Sequence, residues 1–135
     1  MATVGLTPAP AATRGVGVLT AAAAVQGMFY LVTGVWPLVD VDIFQAVTGA
    51  KTDLWLVYTV GVLVAVVGSV LLLAARSGRV TPEVAVLAVG TALGLAGIDA
   101  VFVARGVIAP VYLLDAAAEV LLVLWWAVGL RRGTP

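Results

Sequence analysis

Three carboxylates, Asp99, Asp115 and Glu119, lie inside stretches of sequence that are otherwise apolar enough to cross a lipid bilayer. A carboxylate at that depth costs on the order of 2.5–3.5 kcal/mol on insertion scales, so it marks a paired network, a ligand site or a proton-exchange site. Asp115 and Glu119 are four residues apart and share one helix face with Tyr112 and Leu122. At 1.5 Å per residue counted from Pro110, Asp115 lies about 7 Å and Glu119 about 13 Å into the helix. Asp99 precedes Arg105 by six residues on a helix of opposite direction, so it is expected at the depth of Asp115. Gln26 falls near the depth of Glu119, with Tyr30 and Thr33 above it on the same face. Trp55, Tyr58 and Thr59 add polar groups to the same half of another helix. This spacing predicts that Asp99 and Asp115 face one another or share Arg105, and that Gln26 reaches Glu119 directly or through water.

The elements that must position these groups are four apolar runs, 16–36, 54–75, 84–104 and 111–130, each close to the ~20 residues that span a bilayer core. Composition agrees: the chain is 63% apolar and only 10% charged, far from the roughly 25% charged residues of soluble domains. Mean hydropathy is +1.18. Seven basic and seven acidic residues give no net charge, which leaves no electrostatic footprint for nucleic acid. Cysteine and histidine are both absent, which removes disulfides, thiol chemistry, haem ligation through either residue and the usual zinc sites. No cofactor and no metal are expected, no catalytic residue is assigned, and a non-enzymatic role is preferred.

The predicted fold is all-α: a four-helix transmembrane bundle, antiparallel and up-down-up-down, over residues 15–131. It is flanked by a disordered tail at 1–14 and a C-terminal tail at 132–135. A signal peptide competes for the first apolar run, but the run continues past the small residues at 21–24 to Trp36 behind a single Arg14, which favours a spanning helix. Pro37 is expected to close that helix. Thr52 or Asp53 is expected to cap the second and Ser77 with Gly78 to end it. Thr81, Pro82 and Glu83 read as N-cap, N1 proline and first-turn acid of the third, which stops at Arg105 and Gly106. In the long connection 37–52, residues 42–47 read either as an interfacial helical turn presenting Ile43, Phe44 and Val47 to lipid, or as an ordered loop.

Arg14, Arg76, Arg79, Arg131 and Arg132 fall on one side of this topology, against Lys51 and Arg105 on the other. That split places both termini in the cytoplasm of a plasma (inner) membrane. Trp36, Trp55 and Tyr112 are expected as interfacial anchors at the outer ends, with Trp125 and Trp126 at the inner end. Gly90, Gly94 and Gly97 on one side of the third helix, and Ala88, Ala92 and Ala96 on the other, predict a helix sandwiched at close range between neighbours. A homo-oligomer built on Gly90 and Gly94 is the alternative. The second helix offers Gly61, Ala65 and Gly68, and the first Gly27 and Gly34.

One segment carries a resemblance: Thr33-Gly34-Val35-Trp36-Pro37-Leu38, then the run from Phe44 through Val57 that includes Val47-Thr48-Gly49-Ala50-Lys51-Thr52-Asp53-Leu54-Trp55, then Thr59-Val60-Gly61. It resembles a group of small bacterial four-helix membrane proteins without assigned activity, over about thirty residues. That resemblance implies a fold and no substrate. A looser likeness to DoxX-like four-helix proteins rests on topology alone. Small multidrug exporters match in size, but their key glutamate lies in the first helix, where this chain has Gln26.

The sequence thus predicts an acidic pocket in the outer half of the bundle, binding a small polar ligand, a cation or a lipid headgroup. The candidates are Gln26, Tyr30, Tyr58, Asp99, Tyr112, Asp115 and Glu119, with Lys51, Asp53, Trp55 and Arg105 around the mouth. The expected partners are the lipid bilayer, such a ligand, and a second copy or another membrane protein. Three alternatives stand beside this reading: a proton-coupled transporter, an intramembrane acid/base enzyme, and a structural polar network in which Arg105 neutralises an acid.

Overall fold

In the computed structural model, residue 5 and residues 11–133 are described. Apart from these, the tail expected at 1–14 and the last two residues of the tail expected at 132–135 lie outside the described residues. Five helices follow one another: α1 (Ala11–Val39), α2 (Val41–Thr48), α3 (Leu54–Ser77), α4 (Pro82–Ala104) and α5 (Tyr112–Gly133). The expected four-helix bundle is corrected to five helices, because the connection after α1 folds into α2. Four of the five, α1, α3, α4 and α5, are long and apolar enough to cross a membrane, and the chain is a multi-pass membrane protein.

The extra helix follows from local chemistry. Pro37 does not end α1, which runs on to Val39. A proline removes one amide donor, yet the chain regains the helical ladder at once, with Asp40 N donating to Trp36 O at 2.9 Å. Asp40 then caps α2, its carboxylate accepting from the Ile43 amide at 3.0 Å. One residue therefore closes α1 and opens α2. Phe44 packs edge-on against Trp36 with ring centroids 5.4 Å apart, which folds α2 back onto α1. Gly49 ends α2 at φ +93°, a left-handed conformation that favours glycine. Two other boundaries appear as capping predicts: Gly78 is left-handed after α3, and Thr81 accepts from the Val84 amide at 3.4 Å, whereas Asp53 occupies the N-cap position of α3 without a side-chain capping bond.

α1 lies at the centre, antiparallel to α3 on one side and α5 on the other, and α4 packs on α5. Glycine sets the α1–α3 spacing. A Cβ added at Gly34 would lie 2.6 Å from both Ala65 N and Gly61 O, and one at Gly68 would lie 2.6 Å from Leu31 N. Only hydrogen at these positions allows the two backbones to meet. On α4 the alanine stripe behaves as expected, with Ala88 and Ala92 fully buried. The glycine stripe does not: Gly90, Gly94 and Gly97 have nothing within 4 Å of an added Cβ. α4 is covered on one face only, because α3 and α4 barely touch.

Polarity is inverted relative to a water-soluble domain. Among the largest fully buried side chains are Gln26, Tyr30, Glu119 and Trp126, whereas Leu63, Leu73, Val86, Leu114 and Leu121 are exposed on the outer surface. Lipid is as apolar as leucine, so leucine gains little by facing inward, while each polar group must find a partner inside.

Gly34→Ala and Gly68→Ala should each destabilise the fold by about 1–3 kcal/mol through overpacking, whereas Gly90→Ala and Gly94→Ala should be neutral. Melting temperatures of the purified variants in mild detergent check this; equal losses at all four positions would contradict the packing described.

Candidate functional site

Helix α5 brings Glu119 to the centre of the structure, where it is fully buried. The Tyr30 hydroxyl of α1 donates to Glu119 Oε2 at 2.7 Å, tying the two helices together. The second oxygen, Oε1, has no hydrogen-bond partner. One turn nearer the end of α5, Asp115 is half-buried and engages Asp99 of α4, carboxyl to carboxyl. Asp99 is 6% exposed, and its Oδ2 likewise has no partner. Both Asp115 and Asp99 act electrostatically on Glu119, so the three acids form one cluster.

A second network lies deeper, toward the other end of the helices. Gln26 donates through Nε2 to the Ala88 carbonyl of α4 at 2.9 Å and accepts through Oε1 from the Trp126 indole of α5 at 2.7 Å. The direct hydrogen bond expected from Gln26 to Glu119 is absent, because both ends of the Gln26 amide are taken by Ala88 and Trp126. Trp126 is completely buried, so it is a core hydrogen-bond donor and not the interfacial anchor expected. The sequence carried a signal for this: Trp126 follows Glu119 by seven residues and Leu122 by four, which puts all three on one face.

Above the acids a cavity of about 470 Å³ opens between α1, α2, α3, α4 and α5. That volume falls within the ~300–1,000 Å³ of small-molecule sites. Its walls are mainly apolar, with Phe44 and Val47 of α2, Val57 and Val60 of α3 and Leu95 of α4 among them. Of the sequence-derived candidates, Tyr30, Lys51, Asp99, Tyr112, Asp115 and Glu119 border it. The remaining five do not. Gln26 is buried below it, Asp53 is exposed at the start of α3, and Trp55 and Tyr58 point away, 66% and 38% exposed. Arg105 is exposed, with its guanidinium 5.8 Å from the Phe102 ring centroid, and forms no ion pair with Asp99 or Asp115.

Lys51 marks the mouth. Its ammonium donates to the carbonyls of Thr48 at 2.9 Å and Gly49 at 3.0 Å and lies 5.1 Å from the Tyr112 ring centroid. The Lys51 amide donates to Gln45 Oε1 at 2.9 Å, which fastens the loop to α2. Among the described residues Lys51 is the one cation bordering the cavity, and it is engaged at the rim. Among the described residues no group of three or more acids is close enough to hold a metal ion. What the arrangement can do chemically is receive a hydrogen-bond donor or positive charge at its floor and an apolar body along its walls.

Comparison with known proteins finds no family model, no curated protein and no solved structure that matches the chain.

Tyr30→Phe removes the hydrogen-bond donor to Glu119 and should destabilise the fold by about 1–3 kcal/mol, as should Trp126→Phe through Gln26. Arg105→Ala should lie within about 0.5 kcal/mol of the unsubstituted protein. Chemical or thermal unfolding in detergent reads all three; a large loss at Arg105 would reinstate it as a counter-ion.

Proposed function

We propose that this chain is a non-enzymatic multi-pass membrane protein that binds a small ligand in the cavity above Glu119. The ligand is held through Asp99, Asp115 and Glu119 as a small polar molecule, a cation or a lipid headgroup. The observation that carries this reading is the pair of unpartnered buried oxygens, Glu119 Oε1 and Asp99 Oδ2, on residues that border the cavity. Leaving a buried acceptor unsatisfied costs about 1–3 kcal/mol, and more where it is charged. A purely structural network would close on itself, as Gln26, Ala88 and Trp126 do. The open valences belong to groups that await a partner from outside the chain.

Binding is favoured over transport by what lies below the acids. Tyr30, Gln26 and Trp126 are packed at 0–1% exposure around Glu119, so side chains close the floor directly beneath the acids. The five-to-two distribution of basic residues supports termini in the cytoplasm, and with them a cavity mouth on the external face.

Two experiments test this. Dicyclohexylcarbodiimide, an apolar carboxyl reagent, should modify Asp99, Asp115 or Glu119 in the folded protein in membranes, as read by mass spectrometry of the intact chain and its fragments. Acids that react only after denaturation would overturn the binding-site reading. For orientation, single cysteines at Ala50 and Ile108 should react with an impermeant maleimide in intact cells, and one at Gly78 should not; the reverse pattern would invert the topology.

A further inference from the structure

The cavity has a second opening. α3, α1, α5 and α4 form, in that order, a row of packed neighbours, yet the ends of that row, α3 and α4, barely touch. Leu56 and Val60 of α3 and Ile98 of α4 border the cavity and are 44%, 51% and 56% exposed. Lining residues this exposed, on the two helices that barely touch, mark the seam where the cavity is least enclosed. The seam carries no polar side chain among these three, so its natural occupant is an apolar chain.

The floor asks for the opposite chemistry. Asp99 and Glu119 each hold a buried oxygen without a donor, among the described residues no basic side chain borders the cavity but Lys51, and Lys51 is engaged by two carbonyls and an aromatic ring. Among the described residues no three acids are placed to hold a metal ion. A head with several N–H donors and one positive charge is the chemical complement of such a floor. A hydroxyl head has one proton to give and leaves the charge unmatched.

Resting on the cavity being a binding site, we propose that its ligand is a membrane-dissolved amphiphilic amine. The ammonium head sits between Asp99, Asp115 and Glu119, and the alkyl or similarly apolar tail leaves between α3 and α4 into the bilayer. Entry is lateral, from the lipid, and the α2 segment with Lys51 covers the aqueous side. The positive charge of Lys51 at that rim also disfavours the approach of cations from water.

The test is calorimetric titration of the full chain in phosphatidylcholine nanodiscs, with empty nanodiscs subtracted, using octylammonium, ethylammonium and 1-octanol as probes. Octylammonium should bind saturably at one per chain. Ethylammonium, which lacks the tail, and octanol, which lacks the charge, should each bind at least tenfold more weakly. Glu119→Gln and Asp99→Asn should each weaken octylammonium at least tenfold, and the second variant covers the case in which the first fails to fold. Octanol matching octylammonium would overturn the ammonium head, and ethylammonium matching it would overturn the tail and the lateral route. Octylammonium binding that ignores both substitutions is surface adsorption and overturns the proposal. If octylammonium fails to bind while the carbodiimide still reaches the acids, the ligand class is wrong and the binding site stands. If the carbodiimide fails as well, both readings fall.

Discussion

The hydrogen bond from Tyr30 to Glu119 is the interaction around which the rest is arranged. A carboxyl with no exposed surface, on a helix whose other face meets lipid, has no water to turn to. It must be received by the protein, and the Tyr30 hydroxyl at 2.7 Å receives it. That single contact fixes the rotation of α5 about its axis and its height against α1. With the register set, Trp126 falls opposite Gln26, and Gln26 in turn reaches the Ala88 carbonyl on α4. Three helices are thereby locked by three short polar links, in a setting where apolar contact alone gives little reason for one packing over another.

The remaining helix is held by a different principle. α3 meets α1 through close backbone approach at Gly34, Gly61, Gly27 and Gly68, with no polar tie between side chains. Dispersion at short range replaces hydrogen bonding there. The consequence is an asymmetric molecule. α3 is drawn onto α1 and α4 is drawn onto α5, while nothing comparable draws α3 and α4 together. The cavity owes its existence to that missing seam. It is bounded by four long helices but sealed by only three of their interfaces.

The acids are distributed unequally between structure and function. Glu119 gives one oxygen to the fold and keeps one free; Asp99 engages Asp115 and also keeps one free. A site built this way needs little rearrangement to accept a ligand, because the groups that bind it are already held by the helices that form the bundle. α2 completes the enclosure from the aqueous side, joined to α1 through Asp40 and the Trp36–Phe44 contact, and to Lys51 through Gln45.

Much of this was legible in the chain. Runs of about twenty apolar residues can only be spanning helices, and caps such as Thr81 or stops such as Gly78 act through the residues beside them, so they read locally. Thr91 and Ser69 bond back to their own helix for the same local reason. The depth match of Asp99 with Asp115 followed from helical rise. Three things did not follow. Residues 42–47 fit a helical turn and a loop alike, because the stability of α2 depends on Phe44 packing against Trp36. By residue type Trp126 suits an interfacial anchor and Arg105 a counter-ion, but type sets average behaviour and only the assembled helices decide which face is inside. The glycines of α1 and α4 look alike in sequence, yet α1 uses its own for contact and α4 leaves its own open. Periodicity and hydropathy are properties of one segment at a time. Which segments meet, at what rotation, and where they fail to meet depends on distances between helices, and those exist only once the chain has folded.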